Sequence, residues 1–112
     1  MKLESYTSGT VKILKLSGRF ETHTAPQVRQ WFDETTLLKP ASLVVNMEEV
    51  SFIDSTGLSS LIHGMKRARE MNGDLRLCGL RQSVRMILEL TRLDKVFEIF
   101  ISEDEAVHSF SI

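Results

Sequence analysis

A single cysteine, Cys78, occurs in this chain of 112 residues, so no internal disulfide can form and the fold must rest on its own core. That pattern suits a reducing compartment. No long hydrophobic run is present: the longest purely aliphatic stretch, Leu43-Val44-Val45, is far short of the ~20 apolar residues of a membrane span. The opening Met1-Lys2-Leu3-Glu4-Ser5-Tyr6 lacks the apolar stretch and cleavage site of a secretion signal. Charge of one sign is missing too, since 14 basic residues face 15 acidic ones for a net charge of −1. Such a balance gives no overall attraction to nucleic acid or anionic lipid. The expectation is a soluble cytoplasmic protein that binds neither nucleic acid nor membrane. The three histidines lie far apart and no second cysteine accompanies them, so no metal site is expected. Neither G-x-x-x-x-G-K nor G-x-G-x-x-G occurs, so no nucleotide or other cofactor is expected.

What is present reads as one domain, 1–112, without repeats, linkers or low-complexity segments. Apolar residues at 42% and charged residues at 26% match ordinary soluble domains, and a chain of this length buries roughly two-thirds of its unfolded surface. Lys2–Ser8 and Val11–Ser17 are β-prone and meet at Ser8-Gly9-Thr10, a hairpin signal. Gly18–His23 reads as loop. Thr24 suits a helix N-cap and Pro26 its first turn. Ala25, Val28, Phe32 and Thr35 then recur at helical spacing until Lys39-Pro40. Residues 42–47 form a nearly unbroken apolar run, the mark of a strand covered on both faces. Helical spacing returns at Leu58, Leu61, Ile62, Met65 and Ala68 and stops at Asn72-Gly73. Leu75, Leu77 and Cys78 predict a strand closed by Gly79. Val84, Ile87, Leu88 and Thr91 predict a third helix, residues 96–101 a strand, and residues 103–110 a short closing helix. Strands alternating with helices imply parallel pairing, and the hairpin makes the sheet mixed. The fold class is therefore α/β.

One segment carries the chemistry: Val50-Ser51-Phe52-Ile53-Asp54-Ser55-Thr56-Gly57-Leu58. It lies where a buried strand gives way to an amphipathic helix, the end of a parallel sheet at which ligands bind. Asp54, Ser55 and Thr56 are all N-cap types, and one of them caps the helix. Gly57 costs ~1 kcal/mol against alanine inside a helix, which suggests open space above the first turn for something that approaches closely. A hydroxyl here could be a plain cap. It could also accept phosphate, because a helix N-terminus stabilises added negative charge.

Enzyme readings fit poorly. Asp-Ser/Thr-Gly marks aspartic proteases, yet an extra residue separates Asp54 from Gly57 and a helix follows. Ser55 and Asp54 with His23, His63 or His108 could not easily take the geometry of a Ser-His-Asp triad, and no G-x-S-x-G elbow occurs. A receiver domain needs an acidic pair after its first strand, and none stands near Ser17-Gly18. Cys78 reads as a small buried hydrophobe. Lys66-Arg67-Ala68-Arg69 reads as the solvated face of a helix.

Taken together, the residues resemble the STAS-domain anti-sigma factor antagonists, or anti-anti-sigma factors. Leu16-Ser17-Gly18-Arg19-Phe20-Glu21 is similar to the family's L-x-G-x-(hydrophobic)-D segment. Leu43-Val44-Val45-Asn46-Met47 followed by Val50 through Leu58 resembles its D-S-(S/T/A)-G-L signature block. Leu75–Leu80, Val84, Leu88, Thr91-Arg92-Leu93 and Val96-Phe97 follow the family's tail. The resemblance implies a single STAS-like domain, with a mixed four- to five-stranded sheet, an N-terminal hairpin and about four helices. It further implies a partner switch. The unphosphorylated protein binds an anti-sigma factor that is also a serine protein kinase, phosphorylation of Ser55 breaks the complex, and a metal-dependent serine phosphatase restores it. Glu21, Asp54, Ser55, Thr56 and Gly57 would then meet the partner. The chain would catalyse nothing and be monomeric when free. Glu21 stands where the family more often has aspartate, and Leu58-Ser59-Ser60 replaces a frequent Leu-Gly. Thr56 and Ser59 are thus alternative acceptors. The competing expectation is a STAS scaffold or small-ligand sensor without sigma-factor control.

Overall fold

The computed structural model describes residues 1–111; residue 112, the last of the expected domain, lies outside the described residues. Five strands form one sheet in sequential order: β1 (Lys2–Ser8), β2 (Val11–Phe20), β3 (Ser42–Ile53), β4 (Asp74–Cys78) and β5 (Ile99–Phe100). β1 and β2 pair antiparallel, and every later neighbour pairs parallel. The hairpin turns through Gly9 and Thr10, with Gly9 at φ +60°, a conformation glycine adopts without a Cβ penalty.

Side-chain alternation along the strands divides the core in two. Leu14, Leu16, Leu43, Val45, Leu75 and Leu77 meet Val28 and Phe32 of α1 (Ala25–Thr35), Leu61 and Met65 of α2 (Ser55–Glu70), and Val84 and Leu88 of α3 (Gln82–Leu90). On the other face Val11, Ile13, Val44 and Cys78 pack beneath Ala106 of α4 (Glu103–His108). Three helices thus cover one face and a single short helix covers part of the other. Cys78 is buried, and desolvation, with the charges of Glu103 and Glu48, pushes its thiol up to about 12. It behaves as the expected small hydrophobe.

Several boundaries differ from the sequence expectation. β2 does not end at Ser17: a bulge around Gly18, at φ +104°, lets the strand continue until Phe20 is buried opposite Ile53. β3 runs past Met47 through Glu48 and Glu49 because β2 keeps pairing with it as far as Ile53, while β4 stops at Asn46 and leaves these two side chains exposed. α1 ends at Thr35, well before Lys39. The hydroxyls of Thr35 and Thr36 donate back to the carbonyls of Trp31 and Phe32 at 2.7 Å each, the local back-bonding that weakens a helix at its end. Leu38, in the stretch between Thr35 and Lys39 that the helical reading covered, is 77% exposed. β5 shrinks to two residues because residues 93–95 form a 3-10 turn and Phe97 folds into the core. The α2 stop is as expected, with Asn72 taking the left-handed conformation at φ +59°.

α1 and α2 pack through a missing side chain. A Cβ at Gly64 would lie 2.6 Å from the Phe32 ring, so the ring rests directly on the α2 backbone. Gly64→Ala should therefore destabilise by about 1–3 kcal/mol, as overpacking does. Urea unfolding would show this as a lowered midpoint, partly recovered in the Gly64→Ala/Phe32→Leu double variant.

Candidate functional site

The C-terminal ends of β2 and β3 lie side by side, with Phe20 opposite Ile53. The residues that follow each strand therefore meet. Asp54 leaves β3 in extended conformation and is the N-cap of α2; neither Ser55 nor Thr56 fills that role. Asp54 Oδ1 accepts the Gly57 N–H at 2.9 Å. Oδ2 accepts both the backbone N–H and the hydroxyl of Thr22, each at 3.1 Å. The Thr22 hydroxyl has one proton and gives it to Asp54, so at 3.2 Å the Thr56 hydroxyl must donate to Thr22 Oγ1. One carboxylate thus ties the loop after β2 to the first turn of α2.

These donors favour the charged form. The Gly57 N–H, above all, holds the Asp54 carboxyl below the usual range; desolvation opposes it, and the amides of Thr22 and Thr56 with the Thr22 hydroxyl add to the lowering. With its oxygens so engaged, Asp54 is an ionised anchor.

Gly57 is buried, and the open space expected above it is absent. A Cβ there would lie 2.6 Å from the Phe20 carbonyl oxygen and 2.8 Å from Ile53 Cγ1. What approaches Gly57 closely is the protein's own β2–β3 end. Thr24 stands at the N-cap position of α1 as expected, but its hydroxyl donates to the Arg19 carbonyl at 2.8 Å and accepts the Glu21 N–H at 2.9 Å, and caps no α1 amide. Glu21 is half-buried in the same loop, where Oε1 accepts the His23 N–H at 3.1 Å.

Ser55 is the first residue of α2 and is exposed. Among the described residues its hydroxyl has no hydrogen-bond partner, unlike that of Thr56. Ser59, one turn further on, is exposed as well, while Ser60 is buried and donates to the Thr56 carbonyl at 3.0 Å. The structure therefore brings Glu21, Asp54, Ser55, Thr56 and Gly57 to one corner, with Gly57 inside it. The residue the sequence reading passed over is Thr22. Its signal was positional, since two strands in parallel register that end together place their next residues within reach. The expected solvated stretch at Lys66-Arg67-Ala68-Arg69 is partly tied down: Arg67 pairs with Asp33 at 3.2 Å and Arg69 with Asp74 at 2.9 Å, while Ala68 is core.

Comparison with known proteins agrees with this architecture. The chain belongs to the STAS domain family, whose model matches residues 2–106. It is 26% identical over 103 residues to an anti-sigma F factor antagonist of Paenibacillus polymyxa, covering 91% of this chain and 88% of that one. It is 30% identical over 90 residues to an anti-sigma-B factor antagonist of Listeria monocytogenes, covering 80% and 79% respectively. Among solved structures, the Bacillus cell fate determinant SpoIIAA in the phosphorylated form superposes with a TM-score of 0.76 at 19% identity, over 96% of this chain and 98% of that one.

The depressed Asp54 carboxyl fixes a pH dependence. A folded-state value below the unfolded one gives stability that is present above the ordinary carboxylate range and lost as acid protonates the group. Asp54→Asn faces the Thr22 N–H with an amide N–H at neutral pH, so it should unfold at lower urea than wild type there. The gap between the two midpoints should close below about pH 4. A gap that stays constant down to pH 2 would contradict the assignment.

Proposed function

We propose that the protein is an anti-sigma factor antagonist switched by phosphorylation of Ser55. The observation that carries this reading is the exposed Ser55 hydroxyl, without a hydrogen bond among the described residues, beside a carboxylate whose two oxygens are both engaged. A kinase can reach such a hydroxyl without unfolding anything. In this reading the unphosphorylated corner binds an anti-sigma factor that is also a serine protein kinase, and a metal-dependent serine phosphatase reverses the modification. The protein acts in the cytoplasm as a monomer when free; it is substrate and ligand, and it catalyses nothing itself. The names of the curated relatives, antagonists of two different anti-sigma factors, support the same role.

Phosphate would bring about −1.5 to −2 charges to a surface that already holds ionised Asp54. Burying that charge against a partner costs desolvation and like-charge repulsion. A loss of only ~3 kcal/mol weakens a complex more than a hundredfold. Thr56, half-buried and hydrogen-bonded to Thr22, is a poorer acceptor than Ser55, whereas Ser59 is open.

The purified chain, incubated with ATP and the anti-sigma factor serine kinase of its own genome, should gain one phosphate, mapped to Ser55 by peptide mass. Ser55→Ala should gain none and bind the kinase like wild type, while Ser55→Asp should bind about a hundredfold more weakly. Phosphate arriving on Ser59 in Ser55→Ala, or equal binding by the two variants, would overturn the reading.

A further inference from the structure

We propose that Arg19, laid over the ring of Phe52, selects the partner by pairing with a carboxylate on the protein that docks at the Ser55 corner. This inference rests on the function proposed above and adds the determinant of which partner is accepted. Arg19 and Phe52 face each other in the register of β2 and β3, immediately before Phe20 and Ile53 turn inward to the core. The guanidinium carbon stands 4.1 Å from the centre of the Phe52 ring. Arg19 is exposed, and among the described residues its side chain has no carboxylate within ion-pair distance and no hydrogen bond.

Arg29, Arg85 and Arg92 likewise hold no carboxylate among the described residues, but of these four arginines Arg19 is the one laid on an aromatic ring. Arg67, Arg69, Arg76 and Arg81 each hold a carboxylate. Arg19 has its charge unanswered while its position is fixed, by the ring below it and by the Thr24 hydroxyl on its carbonyl at 2.8 Å. Stacking removes much of the freedom a long cationic side chain loses on binding, so less ordering has to accompany the contact. Arginine over an aromatic ring is also the residue chemistry found at interface hot spots.

The site contrasts with the polar hollow beside α4, where most of the lining polar groups are already partnered. There Tyr6 donates to Glu103 at 2.6 Å, Asn46 donates to the same oxygen at 3.1 Å, and Lys15 pairs with Glu48 at 3.6 Å. At the corner itself stand Asp54, Glu21 with His23 beside it, and the threonines. Arg19 therefore offers a stacked cation at that end of the two strands, and its complement is an anionic group placed so that it avoids Asp54. In the family segment L-x-G-x-(hydrophobic)-D, Arg19 occupies an unspecified x. Its neighbours keep the shared fold while this side chain is free to discriminate among partners.

The test uses the full chain and the anti-sigma factor serine kinase of the same genome, titrated by calorimetry at two salt concentrations. Arg19→Ala should weaken binding about ten- to a hundredfold and Arg19→Glu more than a hundredfold. Arg19→Lys should recover only part of the loss, because it keeps charge without the planar stack. Added salt should shrink the difference between wild type and Arg19→Ala, and Arg19→Glu should be rescued by reversing one acidic residue of the kinase to arginine. Thermal unfolding of the free variants should match wild type, which a merely structural Arg19 would not allow. Binding that is weakened about a hundredfold in Ser55→Asp but unchanged in Arg19→Ala would overturn this inference and leave the switch standing. Failure of wild type to bind the kinase at all would overturn both.

Discussion

The carboxylate of Asp54 holds the functional corner together. It caps α2 through the Gly57 amide and, with its second oxygen, gathers the backbone and hydroxyl of Thr22 from the loop after β2. A neutral cap could satisfy the helix amide, but only an acceptor with two oxygens can serve both elements at once. Everything else at the corner follows from that division. Thr56 is positioned by Thr22, Ser55 is left as the outward residue of the turn, and Glu21 is kept beside them by the short loop into α1.

This junction works only because the backbone comes unusually close behind it. Gly57 sits where a Cβ would strike the Phe20 carbonyl and Ile53, and Gly64, two turns on, receives the Phe32 ring. α2 is thus seated against the strand ends at its start and against α1 in its middle, by two absent side chains. A helix held at both places does not tilt easily, so its first turn presents Ser55 in one orientation. The glycine that looks from sequence like an invitation to a ligand is a packing device.

The alternation of elements, both faces of the sheet and the core positions Leu43, Val45, Leu61 and Leu77 are legible in the sequence because hydrophobic periodicity records burial directly. The same logic explains the errors. β2 extends beyond Gly18 and β3 beyond Glu48 because pairing between two neighbouring strands overrides a local turn signal or a local charge. α1 stops early through hydroxyls that bond backwards, a feature that spacing does not encode. At the corner, the identity of the segment was plain, but the choice of Asp54 as cap, the participation of Thr22 and the inward role of Gly57 depend on two chain segments 32 residues apart in sequence. Only the register of β2 against β3 decides them.

The capping arrangement also decides what a phosphate on Ser55 would do under the proposed switch. A helix N-terminus ordinarily welcomes a phosphate by offering its free amides and its positive end. Here the amides of Thr56 and Gly57 already face the Asp54 carboxylate, which is ionised because of them. A phosphate would find the favourable donors spent and a negative neighbour in place, so its charge would stay on the surface instead of being absorbed by the helix. Such a modification leaves the fold alone and changes what can dock on it. Arg19 complements that logic from the strand ends, where a fixed positive charge rewards a partner that carries its carboxylate away from Asp54. Recognition and release would then read two different charges on one rigid corner, and neither would require the domain to change shape.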